Sequence, residues 1–264
     1  MKKIKNYSNY NSLMEKTLED KTFFISHPSF EEVEILFDYG CANGALIKKL
    51  AEDYPDKIFL GYDSDEEMRE RARDNIEGLK NCFILNREDE FNPLFESRKT
   101  GLLLSSVLHE IDVNSSFRTF FSDGHFGKKN FIYIRDMWYN REEEDRCGST
   151  EIVNKVYKNA DLAQVREFLE KFGKLEREKN LLHFLLKYRY KENWERELEE
   201  DYFNSMNFFE FNNGYITNFM GRRVEVRYQH SYLLPFLLSE WEKDFGIDGA
   251  ILPSTHINLI LEVS

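Results

Sequence analysis

The sequence has few cysteines and lacks any long apolar run. Three cysteines, Cys41, Cys82 and Cys147, are scattered over 264 residues without CxxC or Cys/His spacing. This pattern excludes a disulfide framework and a cysteine-based metal centre, and it favours a reducing compartment. No apolar stretch approaches the roughly 20 residues that a bilayer-spanning helix needs, and no apolar signal core follows the N-terminal lysines. We therefore expect a soluble cytoplasmic protein without a membrane partner.

Positive charge is also scarce. The chain has 36 Lys and Arg against 48 Asp and Glu, which gives a net charge of −12. This balance argues against non-specific binding to nucleic acid or an anionic membrane, although a local basic patch could override it. Aromatic residues are abundant, with 23 Phe and 14 Tyr. They suit a large core and a pocket that stacks planar groups.

Strands and helices alternate through the first half of the chain. Hydrophobic runs with glycine, proline or acidic boundaries predict five strands, at about 35–37, 57–63, 82–85, 102–108 and 130–136. Helical patterns separate them, and short helices are expected at 93–95 and 115–121. Five strands in about 100 residues predict an α/β fold with a doubly wound, mainly parallel sheet.

The rhythm changes after Trp138. A charged loop is expected over 139–150, a helix over 161–172, a long mainly helical segment over 181–203, and a strand at 224–228. A closing helix over 232–245 and a closing strand over 256–263 then return to the sheet. The predicted organisation is an N-terminal cap and core at 1–137, a helical insertion or lid at 138–229, and the closing part of the core at 230–264.

One stretch near the start carries the clearest ligand signal. A buried-strand pattern at Ile35–Phe37 leads into Asp38-x-Gly40-x-x-x-Gly44, and the next strand ends at Asp63. Small residues let the backbone approach a ligand, a helix follows at once, and an acid stands about 20 residues beyond the turn. These features predict a nucleoside-binding corner.

The same residues resemble the motif of class I S-adenosylmethionine-dependent methyltransferases, over about 34–136. Alanine at position 42 replaces a glycine common in that family, and it weighs against a dinucleotide cofactor. The resemblance implies S-adenosylmethionine as cofactor, with the turn against its methionine part, Asp63 on the ribose hydroxyls, and one of Asn86, Arg87 and Glu88 near the adenine. The cofactor-binding residues that it implies are Asp38, Gly40, Cys41, Ala42, Gly44, Asp63, Ser64, Asn86, Arg87, Ser105 and Ser106.

Each of these assignments has a plainer alternative. Asp38 could have no role beyond capping a helix, and Asp63 could likewise be no more than an N-cap. Residues 86–89 could be an ordinary polar loop. An amphipathic segment over 12–18 could lie over the cofactor or cover the sheet edge.

His109 and Asp136 are the candidate catalytic residues. His109 follows the carboxyl end of the fourth predicted strand, where ligands bind in open α/β sheets, and Glu110 could orient it. Asp136 ends the fifth strand and could instead pair with Arg135. A base is needed only if the acceptor loses a proton. No metal site is expected, because the repeated His/Glu spacing of such sites is absent.

The region 138–229 is expected to select the acceptor. Mixed aromatic and basic stretches at 184–191 and 222–228 could bind a phosphate backbone and stack bases. They are equally typical of the solvent-exposed face of a helix and of an edge strand. An acidic run at 192–201 would repel a polyanion. A small-molecule acceptor is therefore preferred. The alternatives are RNA, a nucleotide or a protein as acceptor, or a non-catalytic binding subunit. No sequence feature indicates the oligomeric state.

Overall fold

An eight-stranded sheet organises the computed structural model, which describes residues 4–7, 10, 12–13, 16–91, 98–110, 130–140, 146–203, 215–219, 222–248 and 252–263. The strands are β1 (Ile35–Tyr39), β2 (Ile58–Tyr62), β3 (Cys82–Ile84), β4 (Thr100–Ser105), β5 (Asn130–Met137), β6 (Tyr215–Phe219), β7 (Arg222–Tyr232) and β8 (His256–Val263). Their order across the sheet is β3-β2-β1-β4-β5-β8-β7-β6.

The first five strands form the parallel part of the sheet. β1 pairs in parallel with β2 and β4, β2 with β3, and β4 with β5. β6 and β7 form an antiparallel pair. The predicted doubly wound, mainly parallel sheet is confirmed.

The strand order reverses at β1. The chain runs outward from β1 through β2 to β3, then returns to place β4 on the other side of β1. All five residues of β1 are buried, as its continuous apolar run predicts for a strand covered on both faces. Because β1 and β4 continue in opposite directions across the sheet, their carboxyl ends leave a crevice in which open α/β sheets bind ligands.

The described residues divide into two compact units by their contacts. The sheet unit lies within 11–136, 207–230 and 258–264, and the helical unit lies within 1–10, 137–206 and 231–257. The sheet unit holds helices α1 (Leu18–Lys21), α2 (Pro28–Glu32), α3 (Ala45–Asp53) and α4 (Glu66–Asn75). Its core includes Phe24, Phe30, Leu36, Ile47 and Phe59.

Five α-helices with described bounds belong to the helical unit. They are α5 (Thr150–Asn159), α6 (Leu162–Phe172), α7 (Glu178–Tyr188), α8 (Trp194–Glu197) and α9 (Pro235–Phe245). α7 is the central one, and ten of its eleven residues are buried. The Trp241 indole of α9 donates to the Leu185 carbonyl of α7 at 3.3 Å. Apolar side chains from all five helices form one core.

A buried lysine closes the end of α8. Lys187 is fully buried, and its ammonium group donates to the carbonyls of Glu197 and Glu200. The same nitrogen lies 3.8 Å from the centre of the Tyr202 ring. Burial lowers the pKa of Lys187 to about 7, although Glu197 and other carboxylates raise it. The Lys187 ammonium group thus satisfies carbonyls that a helix end leaves without partners, and this role is structural.

Several helices begin and end where local chemistry predicts. The predicted helix at 161–172 is α6, in which the Asp161 carboxylate accepts from the Ala163 N–H at 2.8 Å, and Gly173 follows its last residue. Pro235 occupies the first turn of α9, and Gly246 ends it in the left-handed conformation. The closing strand spans the predicted residues 256–263.

The region after β5 differs from expectation in three ways. α5 follows the expected loop and was not predicted. The predicted helical segment at 181–203 is interrupted after Tyr188, and α8 ends at Glu197. β6 and most of β7 fall inside the predicted lid, but they pair within the sheet, and β7 extends to Tyr232, so the closing helix starts at Pro235 instead of 232.

The division into units also differs from the predicted one. Residues 231–257 group with 137–206, whereas the sequence placed 230–264 in the core. The reason is the apolar face of α9, whose Leu237, Trp241 and Phe245 join the core of the helical unit. The helices predicted at 93–95 and 115–121 lie outside the described residues.

Candidate active site

The turn after β1 is held in a left-handed backbone conformation. Gly40, Ala42 and Gly44 have φ angles of 83°, 47° and 73°. The N–H groups of Gly40 and Cys41 both donate to the Tyr62 carbonyl, at 2.7 and 3.0 Å. The end of β2 therefore fixes the turn, and Ala42 carries the backbone strain that a glycine would avoid.

Two glycines are required by close packing as well as by conformation. A Cβ on Gly40 would lie 2.7 Å from Val107 Cγ2, and a Cβ on Gly44 would lie 3.0 Å from Ala72 Cβ. The turn after β1 therefore lies against the residues that follow β4, and α3 begins close against α4. A side chain at position 40 would therefore clash with Val107, and one at position 44 would be unusually tight against Ala72.

Asp63 is tied to the glycine turn. Its Oδ2 accepts from the Ala42 N–H at 2.8 Å, and its Oδ1 accepts from the Asp65 N–H at 2.9 Å. Burial raises the pKa of the Asp63 carboxyl, while these two hydrogen bonds lower it. Asp65, rather than Asp63, caps α4 by accepting from the Glu67 N–H. Ser64 is exposed and neither caps α4 nor lines the cleft described next.

A cleft opens at the carboxyl ends of β1 and β4. It encloses about 360 Å³, part of which is open to solvent. Its lining residues are Leu18, Lys21, Asp38, Gly40, Cys41, Ala42, Asn43, Ala45, Leu46 and Ser105. Five of the predicted cofactor residues therefore share one cleft, and Gly44 and Asp63 adjoin its glycine turn.

Asp38 is the buried acid of the cleft. Only 3% of its surface is exposed. Burial raises the pKa of its carboxyl to about 7, the Lys21 ammonium lowers it, and Asp63 raises it further. Asp38 caps no helix, since Gly44 precedes the first residue of α3.

Cys41 contributes an inert thiol. Burial, followed by the charges of Asp38 and Asp63, raises the pKa of Cys41 well above its ordinary value. The thiol therefore stays protonated and behaves as a small apolar group. Its Sγ would lie 2.9 Å from a Cβ on Gly61, so it also fills the space beside β2.

Two serines end β4 and differ in their partners. Ser105 Oγ is buried and has no hydrogen-bond partner among the described residues. Ser106 has a φ of 57°, and its Oγ accepts from Arg135 at 2.6 Å. The Arg135 Nε also donates to Asp20 Oδ2 at 2.6 Å, and the Arg135 side chain is almost fully buried. Arg135 therefore connects β4, β5 and α1.

The two candidate catalytic residues contact each other. His109 Nδ1 lies 2.9 Å from Asp136 Oδ1, and the Leu108 N–H donates to Asp136 Oδ2 at 2.8 Å. Asp136 is fully buried, while the His109 side chain keeps 5% exposure. Glu110 Oε1 lies 3.9 Å from His109 Nε2. The carboxylate of Asp136 therefore holds the imidazole ring through one of its nitrogens.

The predicted adenine-side residues lie elsewhere. Asn86 and Arg87 are exposed and do not line the cleft. Asn86 Oδ1 accepts from Arg73 at 2.8 Å, and Arg87 forms a two-point ion pair with Asp89 at 3.0 and 3.1 Å. Glu88, the next residue after Arg87, accepts from the Tyr39 hydroxyl at 2.9 Å. Glu88 is thus the residue of this loop that contacts β1.

Sequence reasoning missed Lys21 and Arg135 as site residues. The amphipathic segment predicted at 12–18 ended one turn too early, because α1 runs to Lys21. Arg135 was considered only as a partner of Asp136, the next residue along β5, whereas its contacts are Asp20 and Ser106. Adjacent side chains on a strand point to opposite faces of the sheet. This alternation indicates that Arg135 and Asp136 do not pair with each other.

The described ranges contain neither a metal-binding cluster nor a membrane-spanning helix. No group of three or more His, Cys, Asp and Glu side chains suited to a metal ion occurs there. The helices of these residues are all too short or too polar to cross a bilayer.

One curated relative has a partly similar sequence. It is a tRNA (guanine-N(7)-)-methyltransferase of Debaryomyces hansenii, 28% identical over 99 residues. The match covers 37% of this chain and 33% of the relative, so it spans about a third of that protein's length. No family model matches the chain.

Three similar solved structures are described as methyltransferases. The plantazolicin methyltransferase BamL, solved with a desmethylPZN analog and SAH, is 13% identical, with 97% of this chain and 88% of that chain covered and a TM-score of 0.46. The methyltransferase domain of bacterial CtHen1 is 10% identical, with 93% and 97% covered and a TM-score of 0.44. A putative O-methyltransferase of Nostoc punctiforme is 14% identical, with 52% and 42% covered and a TM-score of 0.40.

At these TM-scores, the fold assignment rests on the sheet order and strand directions described above. The reversal at β1, the left-handed glycine turn and the acid after β2 together resemble class I S-adenosylmethionine-dependent methyltransferases. The resemblance identified in the sequence therefore extends to the architecture of the sheet.

Proposed function

We propose that this chain is an S-adenosylmethionine-dependent methyltransferase that acts on a small-molecule acceptor. The observation that carries the proposal is the contact between the glycine turn and Asp63, in which the Ala42 N–H donates to the carboxylate at 2.8 Å. This contact joins the ends of β1 and β2, the place where nucleosides bind in such sheets.

The residues of the cleft fit the proposed cofactor. Gly40 and Ala42 of the left-handed turn line the cleft, and as small residues they let a ligand approach the backbone. Ser105 Oγ is a buried hydroxyl with no partner among the described residues. Asp63 uses one acceptor position on each oxygen for a backbone N–H. An ionised carboxylate has further lone pairs, so Asp63 can also accept from two ribose hydroxyls.

The amino-acid end of the cofactor would be held by the predicted residues that line the cleft, which are Asp38, Gly40, Cys41, Ala42 and Ser105. When bound, S-adenosylmethionine supplies a methyl group already activated by its sulfonium. The chain itself therefore has to orient the acceptor, exclude water and, where the acceptor carries a proton, remove that proton.

His109 and Asp136 suit the removal of a proton. With Nδ1–H donating to the Asp136 carboxylate, Nε2 is the basic nitrogen of the ring. A buried carboxylate in this position stabilises the imidazolium that forms after proton transfer. Asp136 is therefore a positioning residue, and His109 is the proposed general base. This pair favours an acceptor that loses a proton on methylation, such as a hydroxyl group.

Titration calorimetry with S-adenosylhomocysteine tests the cofactor assignment. We expect wild-type protein to bind this product with micromolar affinity, and Asp63→Ala to weaken binding at least ~10-fold, because charge-assisted hydrogen bonds are lost. Ser64→Ala, next to it and exposed, is the matched control and should bind as wild type. Equal affinity of the wild-type protein and Asp63→Ala would refute the role of Asp63.

RNA is the second candidate acceptor. The partial similarity to a tRNA methyltransferase favours it, while the net charge of −12 opposes it. A salt-dependent electrophoretic shift of tRNA, abolished by Arg222→Glu with Arg223→Glu, would replace the small-molecule proposal. Absence of any nucleoside binding would instead favour the non-catalytic binding subunit.

A further inference from the structure

Two buried titratable side chains of α7 have no part in the proposed site. They are His183, which is 2% exposed, and Lys187, which is fully buried. The two residues are four positions apart on one helix, so they lie on the same face, one turn from each other. Both side chains contact the stretch that follows α8, residues 198–203. This face of α7 therefore directs two groups that can change charge at one short segment.

Segment 198–203 belongs to no helix or strand. Its Tyr202 is buried, and the Tyr202 N–H donates to His183 Nε2 at 3.2 Å. The Lys187 ammonium donates to the Glu200 carbonyl at 2.7 Å and lies 3.8 Å from the centre of the Tyr202 ring. Since a buried backbone without regular structure needs other partners, the side chains of α7 fix the position of this segment.

The contact with His183 requires a neutral imidazole ring. Nε2 accepts the Tyr202 N–H, so this nitrogen carries no proton of its own. Aromatic rings surround the imidazole, and the ring centres of Phe168, Phe172 and Tyr202 lie 5.5, 4.5 and 5.4 Å from its centre. An imidazole in water gains its second proton at about pH 6.5. A proton on Nε2 would point at the Tyr202 N–H and break the contact.

Lys187 responds to pH in the same direction. Burial lowers the pKa of Lys187 to about 7, while Glu197, Asp201 and Glu200 raise it and Lys171 of α6 lowers it. A lysine in water keeps its proton up to about pH 10.4. A form in which the segment is detached and the ammonium group is hydrated therefore binds this proton more tightly than the closed form does. Acid favours the detached form.

We propose that His183 and Lys187 form a pH-sensitive latch, which holds segment 198–203 on α7 at neutral and alkaline pH and releases it in acid. Each side chain binds a proton more tightly after release, so both contribute with the same sign. When both are protonated, two cations lie one helical turn apart, which also favours release. Tyr202 and Phe203 are each 3% exposed in the closed form. Release makes this aromatic surface accessible.

Hydrogen exchange of the full chain, followed by mass spectrometry at pH 5.5, 6.5, 7 and 8, tests the latch. Protection is calculated against an unstructured peptide at the same pH, which removes the intrinsic pH dependence of exchange. We expect the protection of 198–203 to rise about 10-fold from pH 5.5 to 6.5, and about 10-fold again from pH 7 to 8, because one proton is released in each step. Peptides of α7 should be better protected than the segment at every pH, since the segment opens by itself.

Substitutions assign each half of the response to one residue. His183→Gln should remove the rise between pH 5.5 and 6.5, because a glutamine amide oxygen accepts an N–H at every pH. Lys187→Met should remove the rise between pH 7 and 8, and so should Lys187→Arg, which stays charged. Lys158→Met is the matched control, because Lys158 is exposed on α5 and should leave both rises unchanged. Circular dichroism verifies the folding of each variant.

Three outcomes would overturn the inference. Protection of 198–203 could be equal at pH 5.5 and pH 8. His183→Gln and Lys187→Arg could both keep the full pH response while folded, which would assign it to other groups. The segment and α7 could have equal protection at every pH, which would mean that the helical unit unfolds as a whole. If Lys187→Met does not fold, Lys187→Arg decides the alkaline half. Cofactor and acceptor take no part in this experiment, so its result is independent of the proposed function.

Discussion

Replacing Asp38 by asparagine should stabilise the ligand-free protein at alkaline pH. Asp38 is almost fully buried at the end of β1, and burial raises the pKa of its carboxyl from 3.8 to about 7, against the opposing effect of Lys21. Because the pKa is higher in the folded than in the unfolded chain, the folded protein holds this proton more tightly. The resulting stabilisation is complete below pH 3.8 and is lost as pH rises through about 7.

The size of this effect follows from the two pKa values. At 1.36 kcal/mol per pKa unit, ionisation of Asp38 lowers the free energy of unfolding by about 2 to 3 kcal/mol between pH 5 and pH 8. Asparagine has nearly the same shape and does not ionise. The stability of Asp38→Asn relative to wild type should therefore increase by that amount over this pH range.

Urea unfolding of both proteins at pH 5, 6.5 and 8 measures the difference. Asp53→Asn is the control, because Asp53 is an exposed carboxylate on α3 and its removal should give a nearly pH-independent difference. In titration calorimetry, Asp38→Asn should also bind S-adenosylhomocysteine more weakly than wild type. A stability difference between Asp38→Asn and wild type that stays constant from pH 5 to pH 8 would refute the reasoning.

Three further substitutions test other parts of the structure. Gly40→Ala should lower the free energy of unfolding by about 2 kcal/mol or more, because it adds a clash with Val107 to the left-handed backbone cost. Gly78→Ala, with a φ of 88° and nothing within 4 Å, should cost only the backbone part, about 1 kcal/mol; equal losses in urea unfolding would exclude the clash. His109→Gln should reduce kcat for methyl transfer at least ~10²-fold with nearly unchanged binding of S-adenosylhomocysteine, and an unchanged kcat would remove His109 as the base. Asp161→Ala should destabilise α6 by about 1 kcal/mol in urea unfolding, while Asp161→Asn keeps the cap; equal losses would show that the cap contributes nothing.

Local signals predicted the parallel half of the sheet and five of the ten residues that line the cleft. The apolar run of β1, the glycines after it and the acid after β2 are close in sequence, and their roles depend on short-range backbone geometry. Asp38, Gly40 and Ala42 line the cleft, and their role in cofactor binding stays a prediction. Asn86 and Arg87 were chosen only by their place after β3, and their side chains pair with Arg73 and Asp89 at the surface.

The region after β5 was harder to predict because its elements are stabilised by distant partners. The apolar face of α9 packs against helices about 50 to 90 residues earlier in the chain. The Trp241 indole of α9 donates a hydrogen bond to the Leu185 carbonyl of α7. The periodicity of α9 indicates a buried face but carries no information on which unit buries it. The contacts of α9 accordingly group it with 137–206 and not with the predicted core segment 230–264, although the helix itself was recognised.

The sequence by itself predicted the five parallel strands β1–β5, the closing strand β8, the glycine turn at Gly40–Gly44 and the acid after β2, since each depends on steric preferences and periodicity within a few residues. Tertiary structure alone decided which charges meet. His109 reaches Asp136 across 27 residues, and Arg135 reaches Asp20 across 115 residues. Lys21 enters the cleft beside Asp38 because α1 is attached to β4 and β5. A buried charged side chain interacts with the opposite charges that lie close to it in space. For Lys21 and Arg135, these distances are set by the packing of α1 on the sheet.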